Sequence, residues 1–182
     1  LIDKLKIIFV DIDGPLSWGT WFDGSIRINK NLSIPYPLVE EECKALTEIV
    51  NGTGAKLVIS SDWRRLFTLA QLRRILEFYG IPKGSVIGVT HQRKTKFSSS
   101  NEWDRACQIM DWVEKHKRTI ESWIAIDDLS LGRYFADQTE KHPYITSGNH
   151  VWIDGDWCDI RAKLHENIEK ITSKLNGRTD KE

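Results

Sequence analysis
Asp11 and Asp13 stand two residues apart at the end of an unbroken apolar run, Ile7 to Val10, and are followed by Gly14 and Pro15. Along an extended chain that spacing puts both carboxylates on one side. Two acids side by side at the end of a buried strand repel each other, and a divalent cation between them offsets that repulsion. Taken alone, the pattern fits two readings: a metal-holding acidic pair, or a strand end with two solvated acids before a turn. Further acids and hydroxyls recur in the same position. Lys56–Ile59 runs into Ser60, Ser61 and Asp62, and Trp123–Ile126 runs into Asp127 and Asp128.

The elements that would position these residues alternate. After the first strand, F-D-G-S-I-R-I predicts a small hairpin turning at Asp23-Gly24, closed by P-Y-P at 35–37. An amphipathic helix is predicted over 39–50, a strand over 56–59 and a second helix over 66–79, stopped by Gly80 and Pro82. A strand over 85–89 precedes a polar loop carrying Arg93, Lys94 and Lys96, and Asn101 is placed to cap a helix that runs to about 116. The strand at 123–126 follows, then short extended pieces near 144–145 and 151–153, and a last helix over 156–175. Strand and helix in alternation imply a parallel sheet covered on both faces by right-handed crossovers. The expected fold is a three-layer α/β/α sandwich with a Rossmann-like sheet, one domain over 1–175, a flap or small insert over 18–36, and a polar tail over 176–182. Ligands of such sheets bind beyond the carboxyl ends of the strands. Asp11, Asp13, Ser60, Asp127 and Asp128 all fall on that edge.

Composition narrows the function classes. The chain has 182 residues, with 26 Lys plus Arg balanced by 26 Asp plus Glu, so no global charge selects nucleic acid or membrane. Apolar content of 40% and charged content of 29% suit a folded globular domain. No apolar run approaches a membrane span, and the first residues given, with Asp3, Lys4 and Lys6, show no signal-peptide core, which leaves targeting open because the sequence starts at Leu1 rather than Met. The three cysteines lack metal or disulfide spacing, which suggests reduced thiols and a cytoplasmic setting. Eight tryptophans are expected mainly as core and rim filling. No G-x-x-x-x-G-K-[ST] is present, which removes a P-loop kinase, and the five histidines match no H-E-x-x-H spacing.

D-I-D-G-P-L after one strand, I-S-S after the next, and I-A-I-D-D later resemble the haloacid dehalogenase (HAD) superfamily of phosphotransferases, from about Ile7 to Asp128. V-I-S-S-D-W-R, R-A-C-Q-I-M-D-W-V-E-K-H and W-I-A-I-D-D further resemble its minimally capped branch, associated with RNA-repair, polynucleotide and nucleotide phosphatases. The resemblance implies a phosphatase with Asp11 as nucleophile, forming an aspartyl-phosphate, and Asp13 as the acid and base for the leaving group and water. It also implies Ser60 as a donor to a phosphoryl oxygen, and Mg²⁺ held by Asp11, Asp128, Asp127 and the backbone carbonyl of Asp13. A basic residue near the start of the helix before the fourth strand is implied too: Arg105 has the best register, with Lys96 second and Lys94 beside it.

Around that centre, Ser61, Arg64 and Arg65 are candidates to bind further phosphates at the rim, or else are ordinary helix-surface groups. Trp18, Trp21 and Phe22 could line a flap and stack a base, or pack the hairpin onto the body. The insert is too short for a large cap domain. An open site suits a nucleic-acid end or requires oligomerisation to cover a small nucleotide, and phosphoproteins are substrates of other minimally capped members. A non-enzymatic phospho-receiver would place its acid pair and phosphoacceptor on different strands. Here the D-x-D pair follows a single strand and the second strand ends in Ser60.

Overall fold
A computed structural model describes residues 4–17, 24–91, 101–137, 149–152 and 164–177. The elements are β1 (Leu5–Val10), β2 (Ile26–Asn29), β3 (Leu32–Ile34), α1 (Glu40–Thr53), β4 (Lys56–Ile59), α2 (Trp63–Leu66) and α3 (Leu69–Phe78). They continue with β5 (Val86–Val89), α4 (Asn101–His116), β6 (Ile120–Asp127), α5 (Gly132–Ala136), β7 (His150–Trp152), a 3₁₀ turn at His165–Asn167 and α6 (Ile168–Leu175). Five strands form one sheet in the order β5-β4-β1-β6-β7, and every pair in it is parallel. This is the expected α/β architecture, with helices on both faces and a separate two-stranded antiparallel hairpin, β2–β3.

The central strand β1 explains the unbroken apolar run. Ile8 and Val10 face a core shared with α1, α3 and α6, whereas Ile7 and Phe9 face one shared with α4 and α5. All four are fully buried, because a central parallel strand has no solvent face. Phe9 meets Trp112 and Trp123 edge-on at 5.4 and 5.6 Å, so these tryptophans are filling, as composition suggested.

Parity along the strands then sets the site. Phe9, Val58 and Ala125 all face the α4 side. Two residues on from each, Asp11, Ser60 and Asp127 come to the same side of the carboxyl edge. Backbone bonds extend the ladder to this point: Asp11 N donates to Ile126 O at 3.0 Å, and Ser60 N to Val10 O at 3.1 Å.

Three expectations need correction. The hairpin turns at Lys30-Asn31 rather than Asp23-Gly24, because Ile26 pairs with Ile34 and Asn29 with Leu32, and Asn29 Oδ1 accepts from Asn31 N at 3.0 Å. The helix expected over 66–79 starts later, at Leu69, and the short α2 over Trp63–Leu66 precedes it separately. Thr68 and Gln71 form a capping box that starts α3 afresh after the extended Phe67. The fourth strand is longer than expected, running from Ile120 to Asp127, because β1 pairs with it from Leu5 onward. Of the segments expected at 144–145 and 156–175, the first and the stretch 153–163 lie outside the described residues. Among the described residues, no helix is long and apolar enough to cross a membrane.

Candidate active site
The site begins at the turn after β1. Gly14 N donates to Ser17 O at 2.8 Å and Leu16 N to Ile12 O at 3.0 Å, folding D-I-D-G-P-L into a compact loop. Gly14 sits at φ 87°, and a Cβ there would lie 2.6 Å from Asp128 Oδ2. Only glycine therefore lets the β1 loop and the β6 loop close on each other. Above them, α4 brings Arg105 down from its second turn, on the face that carries Ala106 and Ile109 into the core.

Arg105 Nη1 lies 2.9 Å from Asp11 Oδ2 and 2.8 Å from Asp127 Oδ2, and all three side chains are nearly inaccessible to solvent. Asp11 Oδ1 also accepts from Ile12 N at 2.8 Å, and Asp127 Oδ1 from Leu129 N at 3.0 Å. One guanidinium thus serves two buried carboxylates, and half-buried Asp128 adds a third. The three offer ligand oxygens that lie within 4.8 Å of one another. Burial, and then repulsion from Asp11, pushes Asp128 up to about 6. Burial pushes Asp127 up as well, against the attraction of Arg105.

These residues fit a hard divalent cation. The donors are all carboxylate oxygens, they already crowd one another, and the loop glycine holds Asp128 over Asp11. The cluster does not include the Asp13 carboxylate. That group is instead held by Tyr36 Oη and by Trp63 Nε1 at 3.0 Å, both donating to Oδ1. Burial raises the Asp13 pKa, with repulsion from Asp11 adding to it, while the Tyr36 hydrogen bond pulls it back. Beside Asp11, the fully buried Ser60 Oγ has no hydrogen-bond partner among the described residues. An orphaned hydroxyl next to a carboxylate cluster can donate to an incoming oxygen anion.

The rim differs from expectation. Arg64 is not a surface group. Its side chain is 2% exposed, Nη1 donates to Ser60 O and Nη2 to Gln108 Oε1, which ties α2 to α4. Burial, and then its neighbour Arg105, lowers its pKa to about 10. Arg65 is the exposed arginine, 3.4 Å from Asp62. Ser61 is fully buried, and its Oγ accepts from Trp63 N at 3.3 Å at the start of α2. Trp18, Trp21, Phe22, Lys94 and Lys96 lie outside the described residues.

Tyr36 and Gln108 were not singled out from the sequence. Gln108 stands one turn after Arg105 on the same helix, a register that could have pointed to it. The signal for Tyr36 was weaker: a tyrosine between two prolines, read only as the end of a hairpin.

Comparisons with the curated proteins and with the solved structures found no match. A family model described as the HAD domain in Swiss Army Knife RNA repair proteins matches residues 7–158, a stretch that includes every residue of the carboxylate cluster, Ser60, Arg64 and Arg105. The chain belongs to this HAD-domain family of RNA repair proteins.

Proposed function
We propose that the protein is a Mg²⁺-dependent phosphatase that works through an aspartyl-phosphate on Asp11 and acts on a phosphomonoester at a nucleic-acid end or on a nucleotide. The observation that carries this reading is the Asp11, Asp127 and Asp128 cluster, in which the Arg105 guanidinium contacts Asp11 and Asp127. Phosphoryl transfer needs a nucleophile, neutralisation of the equatorial oxygens and protonation of the leaving oxygen, and each has a candidate at this edge.

A carboxylate oxygen of Asp11 forms the bond to phosphorus as the bond from phosphorus to the leaving oxygen breaks. Asp13 gives its proton to that leaving oxygen. Asp13 then takes a proton from water, the water oxygen attacks phosphorus, and the bond to Asp11 breaks to release phosphate and restore both carboxyls. Arg105 orients Asp11 through the contact at 2.9 Å, and Ser60 Oγ donates to a phosphoryl oxygen. Asp11, Asp127 and Asp128 would hold Mg²⁺, which supplies Lewis-acid neutralisation of the transferring group.

The family's place in RNA repair supports phosphatase-type chemistry on a nucleic-acid substrate. Among the described residues, the insert between β1 and α1 is a small hairpin, which supports a macromolecular phosphate. The test is phosphate release from a panel of 3′- and 5′-phosphorylated oligoribonucleotides, mononucleotides and phosphopeptides, with and without EDTA. Mg²⁺-dependent release favouring phosphorylated ends supports the reading, and preference for phosphopeptides contradicts it.

A further inference from the structure
Asp13 is held in an uneven way. Tyr36 Oη and Trp63 Nε1 both donate to its Oδ1, while Oδ2 has no hydrogen-bond partner among the described residues. The two donors come from different elements. Tyr36 follows the β2–β3 hairpin and is flanked by Pro35 and Pro37, whose rings fix their own φ and hold the preceding residues extended. Trp63 begins α2, four residues after β4 ends, and is 2% exposed. Their rings meet edge-on at 5.5 Å and 69°, and Trp63 Nε1 also lies 3.4 Å from Tyr36 Oη. Phe67 backs Trp63 at 5.5 Å.

A carboxylate that only braced the fold would spread its bonds over both oxygens. Here Oδ1 takes both donors, and among the described residues Oδ2 takes none.

We infer that Tyr36 and Trp63 are positioning residues that clamp Asp13 by Oδ1, so that Oδ2 carries the proton to the leaving oxygen. This rests on the proposed role of Asp13 as acid and base. The hairpin then has a definite duty: it delivers Tyr36 to the acid. Trp63, being buried, is part of the acid's mounting and not a platform for a base.

The clamp matters only where the leaving oxygen needs a proton. A ribose alkoxide needs one, and a nitrophenolate leaves without. The experiment compares kcat/KM, which reports the steps through bond cleavage to the leaving group, for a terminally phosphorylated oligoribonucleotide and for p-nitrophenyl phosphate. Tyr36→Phe keeps the ring and removes the donor. It should lower kcat/KM for the oligonucleotide by about 10- to 100-fold, as a misplaced catalytic group does, and leave the aryl ester nearly unchanged. In an Asp13→Ala background the same substitution should have no further effect. Trp63→Phe should repeat the pattern, and Tyr36→Phe stands in for it if that protein does not fold.

Equal losses on both substrates, or no loss on either, overturn the clamp while leaving the phosphatase reading in place. A wild-type protein that hydrolyses neither substrate, or an Asp11→Asn variant as active as wild type, overturns the phosphatase reading and the clamp with it.

Discussion

Arg105 reaches Asp11 from a different layer of the fold: its Nη1 sits 2.9 Å from Asp11 Oδ2 while also touching Asp127. The contact joins α4 to the ends of β1 and β6. It is where the packing of a helix and the orientation of the proposed nucleophile become one matter. A buried ion pair contributes little beyond an apolar replacement, but removing one partner leaves buried charge uncompensated.

Arg105→Ala should therefore reduce both activity and stability. Turnover should fall by about 100- to 1,000-fold, the usual effect of deleting one preorganised donor. In metal-free buffer, urea unfolding should show a loss of about 3–5 kcal/mol. Added Mg²⁺ should recover part of that loss by binding the freed carboxylates. Arg105→Lys should fall between, since it keeps the charge on a shorter stem whose ammonium is more strongly hydrated and costlier to bury.

Metal affinity should depend on pH around the Asp128 value. With Asp128 pushed up to about 6, its carboxyl is largely protonated below that pH and ionised above it. Mg²⁺ needs the ionised form, so apparent affinity should rise as pH rises through about 6. Calorimetry in buffers of different protonation enthalpy should register proton release on binding. Asp128→Asn should weaken Mg²⁺ by at least about tenfold, and a titration unaffected by pH would contradict this.

Gly14→Ala should damage the same site from the backbone. The added Cβ would meet Asp128 Oδ2 at 2.6 Å in a residue whose φ is 87°. A cost of about 1–3 kcal/mol is expected from the strained backbone, together with weaker Mg²⁺ binding. Thermal unfolding and metal titration of the variant measure the two effects separately.

Far from the site, Glu42 on α1 fastens the C-terminal segment. Its Oε1 lies 2.8 Å from His165 Nδ1, its Oε2 accepts from His165 N at 2.9 Å, and its side chain is 1% exposed. Burial pushes Glu42 up, against the pull of His165. The hydrogen bond to Glu42 pushes His165 up, with Glu41 and Glu166 adding attraction. Both groups hold protons more tightly folded than unfolded. Their contribution is full below the ordinary values of 4.5 for Glu42 and 6.5 for His165, and it is lost as pH rises through the folded values. Unfolding midpoints should fall as pH is raised through and above 6.5, and Glu42→Gln should flatten that slope.

How far the sequence carried can be read residue by residue. The buried strands and their terminal acids were legible because a two-sided core demands apolar runs and because alternation carries Asp11, Ser60 and Asp127 to one edge. Arg105 came from the family resemblance, which implies a basic residue near the start of this helix, and register ranked it ahead of Lys96 and Lys94. Arg64 was misread as a rim group, since sequence does not reveal that Gln108 would reach it across the fold. The hairpin turn was misplaced because Asp23-Gly24 is the stronger turn dipeptide, and pairing of Ile26 with Ile34 outweighed it. Thr68 and Gln71 did announce a helix start, but the apolar stripe continuing from Leu66 hid the break.

The most direct measurement is to quench the protein with acid during turnover of a phosphorylated oligoribonucleotide, reduce with borohydride, and map the modified peptide by mass spectrometry. An aspartyl-phosphate is reduced to homoserine, so Asp11, and neither Asp13 nor Asp127, should carry the change, with none in Asp11→Asn. Phosphate release with Asp11 unmodified throughout, or undiminished in the Asp11→Asn variant, would contradict a covalent route through Asp11.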